Sequence, residues 1–446
     1  MKKYLPKIQE YLFYFFIFLL PWQTRLIIDE GWLNDGYWEY GTVSLYATDI
    51  VLLFLLLLFG IDYFTAKDSD GKTKKIFDWT WFMIAGLELF IFVSIFFAAN
   101  KGLAIIDYGR FVLAIFIFWL ASEKLGSWMK ILGSLLLSAF LQAGIGIWQF
   151  INQISPAQKW LGMAEHNPIN AGVSVVEALG SDGNWERWLR AYGSLDHPNV
   201  LGGFLGMSVL LLIFIMIHKN QKNKFLDNNI YSAYIILVTV FIGLLMSYSK
   251  AAWMAVVFGV AGMLLASIVK KDLFAQKKIL EVVLIFGVIF FVFYGQFDNL
   301  ILARAQGNTR LEKKSNQERV EYLKYSKDII NKNWLVGVGI GNYTNKLAEN
   351  IPNKESWFYQ PVHNVFLLVW AEAGIVGLIF FIAIMQSIFS KLWQRAKIIN
   401  VYKIFLLLPL LVLMLADHWL WSLHFGVYFY WLILGVVMRG SCLLER

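Results

Sequence analysis

The chain has 446 residues, of which 58% are apolar, 17% aromatic and 16% charged, with a net charge of +8. Soluble domains average about 45–50% apolar and about 25% charged, so ordinary soluble domains are excluded, and the apolar content excludes disorder. Cys442 is the only cysteine, which rules out a disulfide scaffold and a thiolate metal cluster.

About 20 apolar residues cross a bilayer core as a helix. Twelve segments fit, roughly 11–28, 45–64, 79–99, 104–122, 129–150, 198–217, 230–248, 251–269, 279–295, 363–389, 402–420 and 422–438. The expected fold is an all-α polytopic membrane helix bundle of about 12 transmembrane helices, with long, partly helical extracytoplasmic loops. Its order is five spans in 1–150, a first large loop at 151–197, spans 6–9 in 198–295, a second large loop at 296–362, and spans 10–12 with the C-terminus in 363–446. The start MKKYLPKIQEYLFYFF resembles a signal peptide's charged region, but no small-residue cleavage site follows, so it reads as a span.

Orientation follows the Lys/Arg bias. With the N-terminus inside, inner segments carry 22 Lys and Arg, the short outer ones 7, and one long outer loop 10. Long loops count little in this rule, so both termini are expected in the cytoplasm. The basic excess then reports topology and requires no nucleic acid.

Along the chain, Asp68-Ser69-Asp70 is a carboxylate pair in a short inner loop with no domain around it, and it is set aside as a sugar-nucleotide site. The first large loop ends Arg190-Ala-Tyr-Gly-Ser-Leu-Asp-His-Pro-Asn199. Pro198 suits the first turn of the next helix, and Asp196 or His197 suits its cap. That helix N-terminus, with Arg190 upstream, is either an anion site or only a helix start beside a headgroup anchor. Ser247-Tyr248-Ser249-Lys250 reads as a tight outer turn, with Lys250 either snorkelling to the interface or turned into an outward cavity.

In the second loop, Gln317–Asn331 has Val320, Leu323, Ile329 and Ile330 among many charges, an amphipathic helix on the membrane surface, over a cavity or simply solvated. Arg319 is one of ten basic residues there. Gly337-Val-Gly-Ile-Gly-Asn342 lacks the strand–turn–helix unit of a dinucleotide site. Its amides either approach a phosphate or form a plain turn. His363, at the start of the next span, is the outer residue type whose ordinary pKa suits proton transfer near neutrality. Glu372 stands half a turn round and about 13.5 Å deeper, which suits helix locking better than a partnership with His363. Asp417, His418 and His424 flank the last outer turn, either lining the same cavity or standing as interfacial residues among Trp419 and Trp421. No His/Glu spacing suggests zinc.

Together these motifs (Arg190–Asn199, the Ser-Tyr-Ser-Lys turn, Arg319 ahead of Gly337–Asn342, His363-Asn-Val-Phe-Leu367, and Glu372-Ala-Gly374 with Gly377) resemble the O-antigen ligase / O-antigen polymerase superfamily. The resemblance covers most of residues 140–390. It implies a membrane glycosyltransferase at the outer face of the bacterial cytoplasmic membrane. Such an enzyme moves a glycan from a polyprenyl diphosphate carrier to an acceptor hydroxyl, with inversion, without metal and without a cofactor. By resemblance Arg190 and Arg319 hold the diphosphate and His363 acts on the acceptor; these three are the expected catalytic residues. Lys250, the third expected diphosphate-binding residue, stands where the family usually has Arg, and a point charge replaces a bidentate fork. The proline usual before the glycine run is also absent. His197, Asn199, Asn364 and Tyr248 are expected to line the cavity. The implied partners are the lipid-linked donor, a glycan, lipid or protein acceptor, and the bilayer. Ligase, polymerase and protein O-oligosaccharyltransferase remain open, and the rival of another class is a transporter without chemistry.

Overall fold

The computed structural model describes residues 4–65, 78–180, 183–218, 224–394 and 398–439. The Asp68-Ser69-Asp70 pair lies outside them. The protein is mostly helical, and a helix lies on or near each expected apolar segment. Among the described residues seven helices are long and apolar enough to cross a membrane by length and composition: Trp79–Phe97, Lys101–Glu123, Trp128–Asn152, Pro198–Ile217, Lys250–Val269, the apolar part of Leu273–Asn333, and Val365–Gln394. Ile230–Met246, Asn400–Ala416 and His424–Arg439 are shorter apolar helices. Leu5–Leu19 and Ala47–Thr65 cover the first two segments.

The first segment is displaced from the expected 11–28. Pro6 opens the helix, which ends at Leu19 just before Pro21. Proline fits a first turn and cannot continue a helix past its end. Arg25–Asp29 instead pairs antiparallel with Val43–Tyr46. Two further small sheets, Trp32–Leu33 with Gly36–Tyr37 and Val175–Leu179 with Trp185–Leu189, qualify the all-α expectation. The Leu273–Gln306 helix runs past residue 295, kinks at Phe297 and stops at Gly307, whose φ is +65°.

Pro198–Ile217 is apolar all round and buried along its whole length except at Asn199. A helix with no polar face belongs inside the bundle, and among the described residues other helices pack around it on several sides. Lipid tails are as apolar as leucine, so close packing has to hold such helices together. Gly202 and Gly203 provide it: a Cβ on Gly202 would meet Ser249 and Ala252, and one on Gly203 would meet Trp419. The start of the central helix is thereby pressed against the 247–249 turn and the 417–419 turn.

Candidate functional site

The Arg190–Asn199 segment is held deep in the bundle by two glutamines of Trp128–Asn152. Gln149 Oε1 accepts from Tyr192 N (3.0 Å) and Gly193 N (2.8 Å), and its amide donates to Gly193 O (2.8 Å). Gln142 Oε1 accepts from Ser194 N (2.8 Å), and its amide donates to Ser194 Oγ (2.6 Å). Seven residues apart, both lie on one helix face. His197, not Asp196, caps the following helix: its Nδ1 accepts from Asn199 N at 3.1 Å, and its Nε2 lies 2.8 Å from Ser174 Oγ. Burial and the nearby charge of Arg190 pull His197 down to about 3, so the ring is neutral at ordinary pH.

Arg190 is 4% exposed. Its Nε donates to Ser247 O at 2.8 Å and its Nη2 to Asn199 Oδ1 at 2.7 Å. Burial lowers its pKa to about 10, with the positive charge of Arg319 acting in the same direction. Asn199 Nδ2 in turn donates to Asp417 Oδ2 at 3.0 Å, and Asp417 Oδ1 lies 3.3 Å from His363 Nδ1. A carboxylate can only accept, so His363 carries its hydrogen on Nδ1 and offers the Nε2 lone pair. One hydrogen-bonded chain therefore joins His363, Asp417, Asn199 and Arg190, from three separate parts of the sequence. Helix Ile398–Ala416 ends just before Asp417. Burial disfavours the charge of Asp417. The hydrogen bond from His363 favours that charge, and the carboxyl stays well below the usual range.

His197, Asn199, His363, Asp417 and His418 line a cavity of about 510 Å³, facing Arg25, Glu39 and Asp196. Asp196 opens onto this space. Burial and the charge of Glu39, opposed by Arg25, push its carboxyl up to about 6. Arg190, Arg319 and Lys250 lie off this wall, Arg190 one hydrogen bond behind Asn199. Two expected lining residues serve elsewhere. Asn364 caps Val365–Gln394, its Oδ1 accepting from Leu367 N at 3.1 Å, so that helix starts at Val365 rather than at His363. Tyr248 is fully buried and stacks on Phe150 with ring centroids 5.8 Å apart.

Arg319 projects from the Arg310–Asn333 helix. The buried stripe of that helix is Glu312, Tyr322, Ser326, Ile329 and Ile330, which share a face with Arg319 at helical spacing. Val320 and Leu323, expected on the apolar face, are exposed. The charges of Arg190, Arg304 and Arg319 all bear on Lys250, so four cations converge behind the cavity. Lys250 Nζ also donates to Glu312 Oε2 at 3.0 Å.

The glycine run is structural. Gly374 has φ +71° and breaks Val365–Gln394, which frees carbonyls of the preceding turn. Val338 N donates to Ala371 O (2.8 Å), Gly339 N to Glu372 O (3.0 Å), and Ile375 N to Trp334 O (2.8 Å). A Cβ on Gly337 would meet the Glu372 carbonyl, so the loop docks backbone to backbone. The Glu372 carboxylate accepts from Tyr343 N (3.3 Å) and Trp421 Nε1 (2.8 Å), as a helix-locking residue would. His424 is remote from His363 in role: its Nε2 bonds Asp49 Oδ1 at 2.8 Å and its ring stacks on Tyr46 at 3.8 Å.

Sequence reasoning undervalued Asp417 and His418 and missed Arg304, Glu312, Gln142 and Gln149. Polar glutamines inside an apolar span were an available signal. His363, Asp417 and His418 each offer a ligand atom, all within 4.8 Å of one another. Two imidazoles and a carboxylate suit a divalent ion such as zinc, so these residues also form a candidate cation set.

No curated protein matches the chain. A family model described as O-antigen ligase does match, over residues 235–382, about a third of the chain. Lys250, Arg304, Arg319 and His363 fall inside that match, while Arg190, Asn199 and Asp417 reach the same cluster from outside it. Residues 235–382 are thus similar to the O-antigen ligase family.

Proposed function

We propose that the protein is a multi-pass glycosyltransferase of the bacterial cytoplasmic membrane. It has about twelve spans and both termini in the cytoplasm. It transfers a glycan from a polyprenyl diphosphate carrier to an acceptor hydroxyl at the outer face. The observation that carries this reading is the hydrogen-bonded chain from His363 through Asp417 and Asn199 to Arg190, with Arg319 and Lys250 beside it.

The chemistry follows from those positions. The acceptor oxygen forms its bond to the anomeric carbon from the face opposite the carrier, so the configuration inverts. The bond from that carbon to the diphosphate oxygen breaks, and its electron pair leaves on the diphosphate. Arg190, fixed in a partly dry site, and Arg319 beside it stabilise the charge that develops there. The hydroxyl proton passes to His363 Nε2, and Asp417 stabilises the imidazolium through the Nδ1 hydrogen. The arginines do the electrostatic work a metal ion would otherwise do, so the reading is metal-independent and needs no cofactor. The apolar helices supply the groove for the polyprenyl chain.

Arg190→Ala, Arg319→Ala and His363→Ala, each at normal protein level, remove transfer from a lipid-linked donor, while a chelator leaves the wild-type rate unchanged. Near-wild-type transfer in all three variants contradicts the assignment. A product ladder from a defined donor marks a polymerase, and a single shift marks a ligase or protein transferase. Intact substrate carried across vesicles marks a transporter.

A further inference from the structure

The Ser247-Tyr248-Ser249 turn holds two guanidinium groups. Tyr248 has φ +48°, a left-handed conformation that is costly for a bulky residue and is found where the surroundings enforce it. Successive carbonyls of this turn point outward: Ser247 O accepts from Arg190 Nε at 2.8 Å, and Tyr248 O accepts from Arg304 Nε at 3.1 Å. Each arginine is thus fixed by its inner nitrogen, and its outer nitrogens remain to face something else. Arg304 comes from the last turn of the Leu273–Gln306 helix, far in sequence from Arg190, yet the turn treats the two alike.

Arg190 meets the neutral Asn199 with its outer edge. Arg304 meets a carboxylate: Glu312 pairs with Arg304 Nη1 and, by its other oxygen, with Lys250 Nζ at 3.0 Å. Glu312 is buried and stands on the same helix as Arg319. Arg319 Nε is itself buried with no hydrogen-bond partner among the described residues. Four cations therefore share a small space with Glu312, Asp417 acts on Arg190 from beyond Asn199, and among the described residues Arg319 Nε still lacks a partner. A buried cation needs a counter-charge, and a carboxylate bridging two cations occupies the place an anionic ligand of the cluster would take.

We propose that Arg304 is a further diphosphate-binding residue, and that Glu312 is an internal stand-in for the diphosphate which leaves Arg304 and Lys250 when a prenyl diphosphate binds. This rests on the lipid-diphosphate reading above and adds to it a third guanidinium and an exchangeable counter-ion. Glu312 and Arg319 share one helix, so the exchange couples the two: Glu312 is released as Arg319 gains its partner.

The test is direct binding of farnesyl diphosphate, with farnesol as the uncharged control, to the full-length protein in detergent. Loss of one charge-assisted hydrogen-bond set weakens farnesyl diphosphate binding by about tenfold or more in Arg304→Ala. Glu312→Gln keeps the shape of the side chain, removes the competing charge, and tightens binding several-fold, and farnesol binding is unchanged in both. Unaltered affinity in Arg304→Ala and Glu312→Gln, with affinity lost in Arg190→Ala, overturns the proposal and leaves the transferase reading standing. Unaltered affinity in all four of Arg190→Ala, Arg319→Ala, Arg304→Ala and Glu312→Gln overturns both. Should Arg304→Ala fail to fold, Glu312→Gln decides alone: weaker or equal binding contradicts the exchange.

Discussion

The reaction proposed here depends on which atom of His363 carries its hydrogen, and Asp417 sets that. With an asparagine in its place the partner atom is either an amide hydrogen or a neutral oxygen, and neither offsets a positive imidazolium. Asp417→Asn therefore lowers kcat by about 10²–10⁴-fold, the range of general acid–base contributions, and leaves the donor KM nearly unchanged, because Asp417 reaches the diphosphate only through Asn199 and Arg190. An unchanged kcat with a raised KM would place Asp417 in binding instead. In the sequence, His363 and Arg190 stand out by residue type and by their places at span boundaries. Asp417 does not: 54 residues separate it from His363, and its neighbours Trp419 and Trp421 look like an interfacial belt. Arg304 and Glu312 are hidden differently, as ordinary members of a charged loop. Only the Tyr248 carbonyl and the Lys250 ammonium single them out.

At the level of elements, apolar runs of span length identify themselves, because each must satisfy its backbone internally and expose only apolar side chains. The small sheets leave no comparable trace: strands of two to five residues are too short for an alternation to register. The glycine run was legible as a special backbone, but its partner was not. That partner is the break at Gly374, whose backbone lies in a region essentially reserved for glycine. A side chain there would also collide with the Leu335 carbonyl. Gly374→Ala costs about 1–3 kcal/mol from backbone strain alone, and the collision adds to it. The expected outcome is a lowered thermal midpoint in detergent, together with loss of transfer, since Tyr343 and Trp421 are held by Glu372 two residues away. A midpoint equal to wild type would mean that the loop does not depend on this docking.

Across the whole molecule, four helix boundaries meet at one end of the central helix, and the cations, His363 and the carboxylates of the cavity come with them. In the orientation proposed from the Lys/Arg bias that end faces outward, where the proposed lipid-linked glycan and its acceptor would meet. The long apolar helices were readable from hydropathy. The convergence was not, because it depends on glycines 202 and 203 letting the 249 and 419 turns close on the same helix start. A density map of the full-length protein in a lipid nanodisc with undecaprenyl diphosphate tests the central claim most directly. The account predicts diphosphate oxygens within hydrogen-bond distance of the Arg190 and Arg319 guanidinium groups, on the side of Asn199 that leads to His363. A diphosphate bound at the opposite end of the bundle, or held without either arginine, would contradict it.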